Sequence, residues 1–282
     1  IEALIDGGIR VIEMGHCSGV GGNSSGVKTA PLSDEEYAEI AYPYFSKAEI
    51  GMFCQPRWTD AKGVRSIAKK GLGFLRVGIN AGDSARAAPL VEEIKSCGVK
   101  ARTSLMKAYA LEPAELASEA RALEEYGADA VTIMDSAGYM MPDDAARYVE
   151  VVAGEVSIPV GFHGHNNLGL SVANGLAAWR AGAASIDCGV MGMARSVGNI
   201  PTEVFIAVLQ RLGEGTEYDL HSLLSRIDGE IARLTEGRFH NPIPPLHLVL
   251  GMAGCHSQYL PVFREAAEKH GANLYRLIME VS

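Results

Sequence analysis

The chain has 282 residues, of which 48% are hydrophobic and 21% charged, with a formal net charge of −9 and a pI of about 5.4. This length is enough for one large α/β domain with an appendage. The acidic balance and the scattered Lys and Arg argue against nucleic acid as a partner. No apolar run approaches the roughly 18 residues of a membrane helix, and no signal peptide opens the chain. Five cysteines without Cys-x-x-Cys spacing favour a reduced, cytoplasmic compartment.

Apolar, β-rich runs alternate with helical patterns up to residue 213. The predicted strands are residues 9–14, 48–54, 74–79, 99–106, 129–134, 158–163 and 184–190. The predicted helices are residues 34–47, 59–70, 84–97, 113–126, 142–154, 168–181 and 201–212. Such alternation predicts a parallel sheet with right-handed crossovers. Because no Gly-x-Gly-x-x-Gly motif follows the first strand, we expect a (β/α)8 TIM barrel rather than an open sheet.

Only seven strands are predicted, and residues 1–8 have the pattern of a helix end. We therefore expect a further barrel strand before residue 1, which would contribute to an active site built from all strand ends. The alternation stops after residue 213, and residues 217–236 and 256–281 have helical patterns. We expect a TIM-barrel catalytic domain over residues 1–213 and a helical C-terminal region over 214–282, which either closes the barrel's flank, caps the active site or docks a partner.

Two histidines lie two residues apart in the predicted strand that ends at residue 163. Alternate side chains of a strand share a face, so His163 and His165 point the same way at the strand's carboxyl end. Two converging imidazoles form half of a site for a divalent metal. A lone histidine is more often a hydrogen-bonded core residue, but a pair followed by two asparagines favours metal ligation.

Four segments carry a resemblance to a known family: residues 11–16, 134–138, 161–174 and 192–205. They resemble the metal-dependent pyruvate aldolases, above all the 4-hydroxy-2-oxovalerate aldolases, in the superfamily that includes hydroxymethylglutaryl-CoA lyase. The resemblance covers nearly the whole chain. It implies a lyase that cleaves a 4-hydroxy-2-oxo acid to pyruvate and an aldehyde. It also implies a homodimer and an acylating aldehyde dehydrogenase that takes up the aldehyde.

That reaction needs three kinds of group. A metal acts as a Lewis acid on the 2-oxo group, a base takes the proton of the 4-hydroxyl, and a cation stabilises the developing oxyanion. In the family, the carboxylate ligand, the base and the cation come from an Arg-Asp pair and a His on strand one, a segment that we expect before residue 1. Mn²⁺ or Mg²⁺ is expected rather than Zn²⁺, because the substrate adds oxygen ligands and favours six-coordination.

The resemblance assigns roles to individual residues. His163 and His165 match the metal ligands, with His163 also contacting substrate. Asn199 matches an Asn that ligates metal in some relatives, although it could equally stabilise its loop. Ser136 matches a substrate-contacting Ser, the alternative being a helix cap or turn hydroxyl. Glu13 is expected at the barrel mouth in a catalytic role, pairing with the strand-one Arg, or else as a buried and paired carboxylate.

His256 stands where the aldolases carry a Tyr that reaches the substrate. A His there could donate a hydrogen bond or shuttle a proton, so we expect a catalytic and substrate-binding role. Arg76 is expected in a structural ion pair. Arg57 and Lys107 follow strand ends and would bind an anionic substrate tail by charge-assisted hydrogen bonds, unless they are solvated surface cations.

Two other functions stay open. A Claisen-type synthase that condenses an acyl-CoA would use the same metal motif, although loop 192–199 is closer to the aldolase form. A hydroxymethylglutaryl-CoA lyase would carry a Cys in residues 191–199, and none is present. A barrel without the strand-one residues could also be non-catalytic, and the sequence of the true N terminus would decide between an enzyme and a binding protein.

Overall fold

The computed structural model describes residues 1–25, 30–195, 197–235, 245–253 and 259–281. One eight-stranded sheet runs in the order β1 to β8, and each neighbouring pair from β1 to β7 is parallel. The strands are β1 (Val11–Met14), β2 (Glu49–Cys54), β3 (Phe74–Asn80), β4 (Lys100–Met106), β5 (Ala130–Asp135), β6 (Val160–Gly164), β7 (Ser185–Gly189) and β8 (Ile200–Pro201). The predicted TIM-barrel type of fold is confirmed.

Helices alternate with these strands and continue beyond them. Those up to β8 are α1 (Glu2–Asp6), α2 (Asp34–Ala41), α3 (Ala61–Ala68), α4 (Ala88–Ser96), α5 (Pro113–Glu125), α6 (Pro142–Glu155) and α7 (Ser171–Arg180). The later ones are α8 (Thr202–Arg211), α9 (Leu220–Arg226), α10 (Ala232–Leu234), α11 (Pro245–Ala253), α12 (Leu260–His270) and α13 (Leu274–Val281). A π-helical segment, Ile227–Ile231, joins α9 to α10.

Local side-chain chemistry explains where several helices begin and end. Ser33 and Glu36 form a reciprocal capping box at the start of α2, and the Asp60 carboxylate accepts the Gly63 N–H at the start of α3. Glycines that end helices have positive φ, which L side chains rarely adopt: Gly71 (89°), Gly98 (73°), Gly127 (94°) and Gly182 (99°). Each returns the chain to the sheet for the next strand.

The structure differs from the elements predicted from the sequence mainly in one short strand and in the helices near the C terminus. All seven predicted strands are present, but the two-residue β8 was not predicted, because two residues show no periodicity. The helix predicted for residues 256–281 is divided into α12 and α13, and Gly271, with φ of 61°, caps the first of them. The strand expected before residue 1 stays a prediction.

The chain divides into two compact units. The first comprises Ile1, Arg10–Cys188 and Ala194–Ile200, and the second Glu2–Ile9, Gly189–Met193 and Pro201–Ser282. The first unit is built around the sheet. The second has its own core of buried apolar side chains, which include Leu220, Leu223, Leu224, Ile227, Val249, Met252 and Ile278. The expected domain boundary after residue 213 stays a prediction.

Candidate active site

The two histidines of the His-x-His motif lie side by side at the carboxyl end of β6. The ring centroids of His163 and His165 are 5.2 Å apart, with the ring planes inclined at 62°. His165 is buried, and burial, assisted by the neighbouring His163 and Arg195, lowers its pKa to about 4. The His165 imidazole is therefore neutral at physiological pH, which is the form that binds a metal.

A carboxylate on the next strand contacts the first histidine. Asp187 on β7 lies with Oδ2 3.3 Å from Nδ1 of His163, and the same oxygen accepts a hydrogen bond from Arg76 on β3. Arg76 also donates to Oε1 of Glu13 at 2.6 Å. A connected chain of contacts thus runs from β1 through β3 and β7 to the histidine on β6.

The charges in this chain of contacts stabilise one another. Burial alone would lower the pKa of the Arg76 guanidinium, but the negative charges of Asp187 and Glu13 outweigh it and raise that pKa. Burial alone would raise the pKa of Asp187, but Arg76 and then His163 hold it well below its usual range. Asp187 is therefore ionised throughout the physiological range. The predicted structural ion pair of Arg76 is present.

The loop before β8 lies against the end of β6. His165 and Asn199 form an isolated antiparallel bridge, and the Asn166 N–H donates to the Gly198 carbonyl at 2.9 Å. One side-chain atom of each bridged residue, Nδ1 of His165 and Oδ1 of Asn199, is buried without a hydrogen-bond partner. A buried polar atom without a partner costs about 1–3 kcal/mol, so atoms of this kind are expected where a ligand binds.

The segment after β5 contacts the same strand end. The Asp135 carboxylate is buried and accepts the N–H groups of Tyr139 and Met140, at 2.9 and 3.0 Å, and burial raises its pKa despite these bonds. The backbone carbonyl of Asp135 accepts the His165 N–H at 3.2 Å. Asp135 therefore fixes the segment that follows it.

Ser136 makes contacts on both its side chain and its backbone. Its Oγ accepts the backbone N–H of Lys107, a residue with a left-handed φ of 57°, at 2.9 Å. Its carbonyl accepts a 2.6 Å hydrogen bond from the Arg195 guanidinium. The hydroxyl thus stabilises a strained turn, and its predicted contact with substrate stays a prediction.

The donor set suits a divalent metal only in part. His163 and His165 offer two imidazoles, and Asn199 offers an amide oxygen that has no hydrogen-bond partner. Within the ranges that the structure describes, no group of three or more His, Cys, Asp or Glu residues is placed to hold a metal. The described residues therefore fit part of a ligand set, and the carboxylate ligand stays a prediction.

The remaining predicted residues are distributed as follows. His256 lies outside the described residues. Arg57 and Lys107 are exposed, and the Arg57 guanidinium stacks 4.6 Å from the centre of the Trp58 ring. The sequence did not single out Asp187. It lies two residues after Ser185 on a predicted strand, so the side chains of Asp187 and Ser185 point to the same face of the sheet. Its signal, one polar residue near the end of a short strand, is weak when taken alone.

Comparisons with known proteins show the family to which the chain belongs. Residues 79–228 match the family model described as HMGL-like. The chain is 34% identical over 274 residues to a 4-hydroxy-2-oxovalerate aldolase of Carboxydothermus hydrogenoformans, covering 97% of this chain and 81% of the relative. It is 36% identical to the enzyme of the same name from Serratia proteamaculans, covering 92% and 78%. The chain belongs to the HMGL-like family, and the predicted family resemblance is confirmed.

Solved structures support the fold. The HMG-CoA lyase of Brucella melitensis aligns with a TM-score of 0.59 at 19% identity, over 67% of this chain and 75% of that one. The carboxyl transferase domain of Rhizobium etli pyruvate carboxylase aligns with a TM-score of 0.68 at 16% identity, over 94% and 47%. Aldolases of the HMGL-like family depend on a metal in general. Among the described residues, no helix is long and apolar enough to cross a membrane.

Proposed function

We propose that this protein is a divalent-metal-dependent aldolase that cleaves a 4-hydroxy-2-oxo acid of the 4-hydroxy-2-oxovalerate class into pyruvate and an aldehyde. The observation that carries the proposal is the pair of adjacent imidazoles at the carboxyl end of β6, together with the buried, unpartnered amide oxygen of Asn199, the residue that forms a backbone bridge with His165. The family relatives, which are named for this reaction, supply the substrate class.

The residues of the site have separable roles in this reaction. His163 and His165 would hold the metal, with Asn199 as a further ligand. When bound, the metal would polarise the 2-oxo group of the substrate and stabilise the negative charge left by carbon–carbon cleavage. The bridge between His165 and Asn199, together with the turn after Asp135, keeps the ligands in place before substrate arrives.

The finer assignments follow from the ligand chemistry. An oxygen-rich set that includes the substrate favours Mn²⁺ or Mg²⁺ over Zn²⁺. A homodimer, and transfer of the aldehyde to an acylating aldehyde dehydrogenase, are part of the proposal because the family resemblance implies them. Catalytic roles for Glu13 and His256 are also retained, and Glu13 acts through its ion pair with Arg76.

Substitution of the histidines tests the proposal. His163→Ala and His165→Ala, made in the full-length protein, should each remove bound Mn²⁺ and abolish pyruvate release, because each deletes an imidazole ligand. Elemental analysis gives the metal content, and a coupled lactate dehydrogenase assay gives the rate of pyruvate formation. His270→Ala is the matched control, since His270 is exposed at the end of α12.

Three outcomes would contradict the proposal. Full metal occupancy in a protein that carries both His163→Ala and His165→Ala would exclude these histidines as the ligands. A wild-type protein that binds metal but condenses acetyl-CoA with a 2-oxo acid would be a Claisen-type synthase. A wild-type protein that neither binds Mn²⁺ nor releases pyruvate would be a non-catalytic barrel.

A further inference from the structure

We propose that Asp187 is a positioning residue, which Arg76 and Glu13 hold in place and which fixes the His163 ring so that its Nε2 nitrogen is the one left to bind the metal. The inference rests on the proposed function for the identity of the metal site. The contact itself is independent of that function. It joins a carboxylate on β7 to an imidazole on β6, at directly paired positions of the two strands.

The first step is the hydrogen bond to the ring. An ionised carboxylate only accepts hydrogen bonds, so the Asp187 oxygen 3.3 Å from Nδ1 of His163 selects the ring form in which Nδ1 carries the proton. In that form Nε2 has its lone pair free for a metal. Carboxylates that orient a ligand histidine in this way typically account for about 10- to 100-fold in metal affinity.

The second step is the support of the carboxylate by Arg76. This guanidinium is nine-tenths buried, it is the only cation of the group, and it reaches Asp187 with one nitrogen and Glu13 with the other. Two carboxylates paired with one guanidinium leave an excess of negative charge beside His163. That charge favours a cation at the site, and it would be costly to bury if Arg76 were absent.

The geometry also predicts what loss of the carboxylate would do. One oxygen, Oδ2 of Asp187, contacts both the Arg76 guanidinium and Nδ1 of His163, so an alanine at position 187 would remove the acceptor from both groups. The hydrogen bond made by one ring nitrogen decides which nitrogen carries the proton. Without it, the ring would be free to move its proton to Nε2, which is the nitrogen needed by the metal.

The experiment measures the ring and the metal separately. In metal-free wild-type protein, ¹⁵N NMR of the His163 ring in its neutral form should show the proton on Nδ1, whereas in Asp187→Ala the proton should also be found on Nε2. Calorimetric titration with MnCl₂ should show a Kd about 10- to 100-fold higher for the variant. Asp129→Ala is the matched control, because Asp129 accepts from Lys95 and from the Ala101 N–H, away from the histidines.

The outcomes separate this inference from the proposed function. A wild-type ring protonated on Nε2 would overturn the role of Asp187, and this result does not depend on the variant being able to fold. Unchanged Mn²⁺ affinity in a folded Asp187→Ala protein would overturn it as well. If the wild-type protein binds no Mn²⁺ at all, the metal site and the proposed function fail, whereas the ring measurement still tests the Asp187 contact.

Discussion

Replacing Gly138 with Ala should damage the metal site through a backbone contact rather than through a lost ligand. Gly138 has a φ of 61°, and a Cβ added to it would lie 2.6 Å from both the Asn167 nitrogen and the His165 carbonyl oxygen. Contacts at that distance require the two segments to separate by close to 1 Å, since ordinary contact begins at about 3.4 Å. The residue that has to move is His165, one of the two proposed metal ligands.

The matched control is Gly127→Ala. Gly127 also has a positive φ, 94°, but nothing lies within 4 Å of its added Cβ. A left-handed backbone costs an L residue about 1–2 kcal/mol, and overpacking adds about 1–3 kcal/mol. We therefore expect losses of unfolding free energy of about 1–2 kcal/mol for Gly127→Ala and about 2–5 kcal/mol for Gly138→Ala.

Urea denaturation measures the two unfolding free energies, and calorimetric titration with MnCl₂ measures the affinity. Only Gly138→Ala should weaken Mn²⁺ binding, because only its methyl group displaces the His165 backbone. Equal destabilisation by the two substitutions, with wild-type Mn²⁺ affinity in both, would refute the argument that close approach of these segments sets the ligand geometry.

Two further predictions concern other parts of the chain. Glu203 is fully buried, its Oε2 accepts the Met191 N–H at 3.0 Å, and burial raises its pKa above 4.5. A raised pKa in the folded state gives stability that is lost as pH rises. Urea denaturation should therefore show that the unfolding free energy of the wild type falls relative to that of Glu203→Gln above pH 4.5. A difference between the two proteins that does not change with pH would contradict this. Arg57 would bind an anionic substrate tail through an exposed ion pair, and such pairs contribute about 0.2–1 kcal/mol. If it does, Arg57→Ala should lower kcat/KM for anionic 4-hydroxy-2-oxo acids, relative to kcat/KM for neutral ones, by at most about 5-fold. A substrate panel that favours neutral short chains, with a ratio unchanged in Arg57→Ala, would leave Arg57 as a surface cation stacked on Trp58.

The sequence was sufficient wherever chemistry and periodicity are local. Seven strands follow from apolar runs between glycine caps, and the shared face of His163 and His165 follows from the two-residue repeat of a strand. Strand β8 could not be predicted in this way, because its two residues carry no repeat. Asn199 was found only through its resemblance to family ligands, since an Asn in a loop has many ordinary roles.

The contacts that orient the site are of a different kind, because they depend on strand register. Arg76 is 111 residues from Asp187 and 63 from Glu13 in sequence. Sequence analysis could predict an ion pair for Arg76, since a buried cation needs a counter-charge, but it could not choose the partner. The carboxylate that contacts His163 is likewise set by strand register, because the pairing of β6 with β7 places His163 directly beside Asp187. A shift of one residue along β7 would reverse the faces of its side chains, and His163 would then lose its carboxylate. The proposed ligands of this site can therefore be predicted from the sequence, whereas the groups that orient them depend on how the strands pair in the folded sheet.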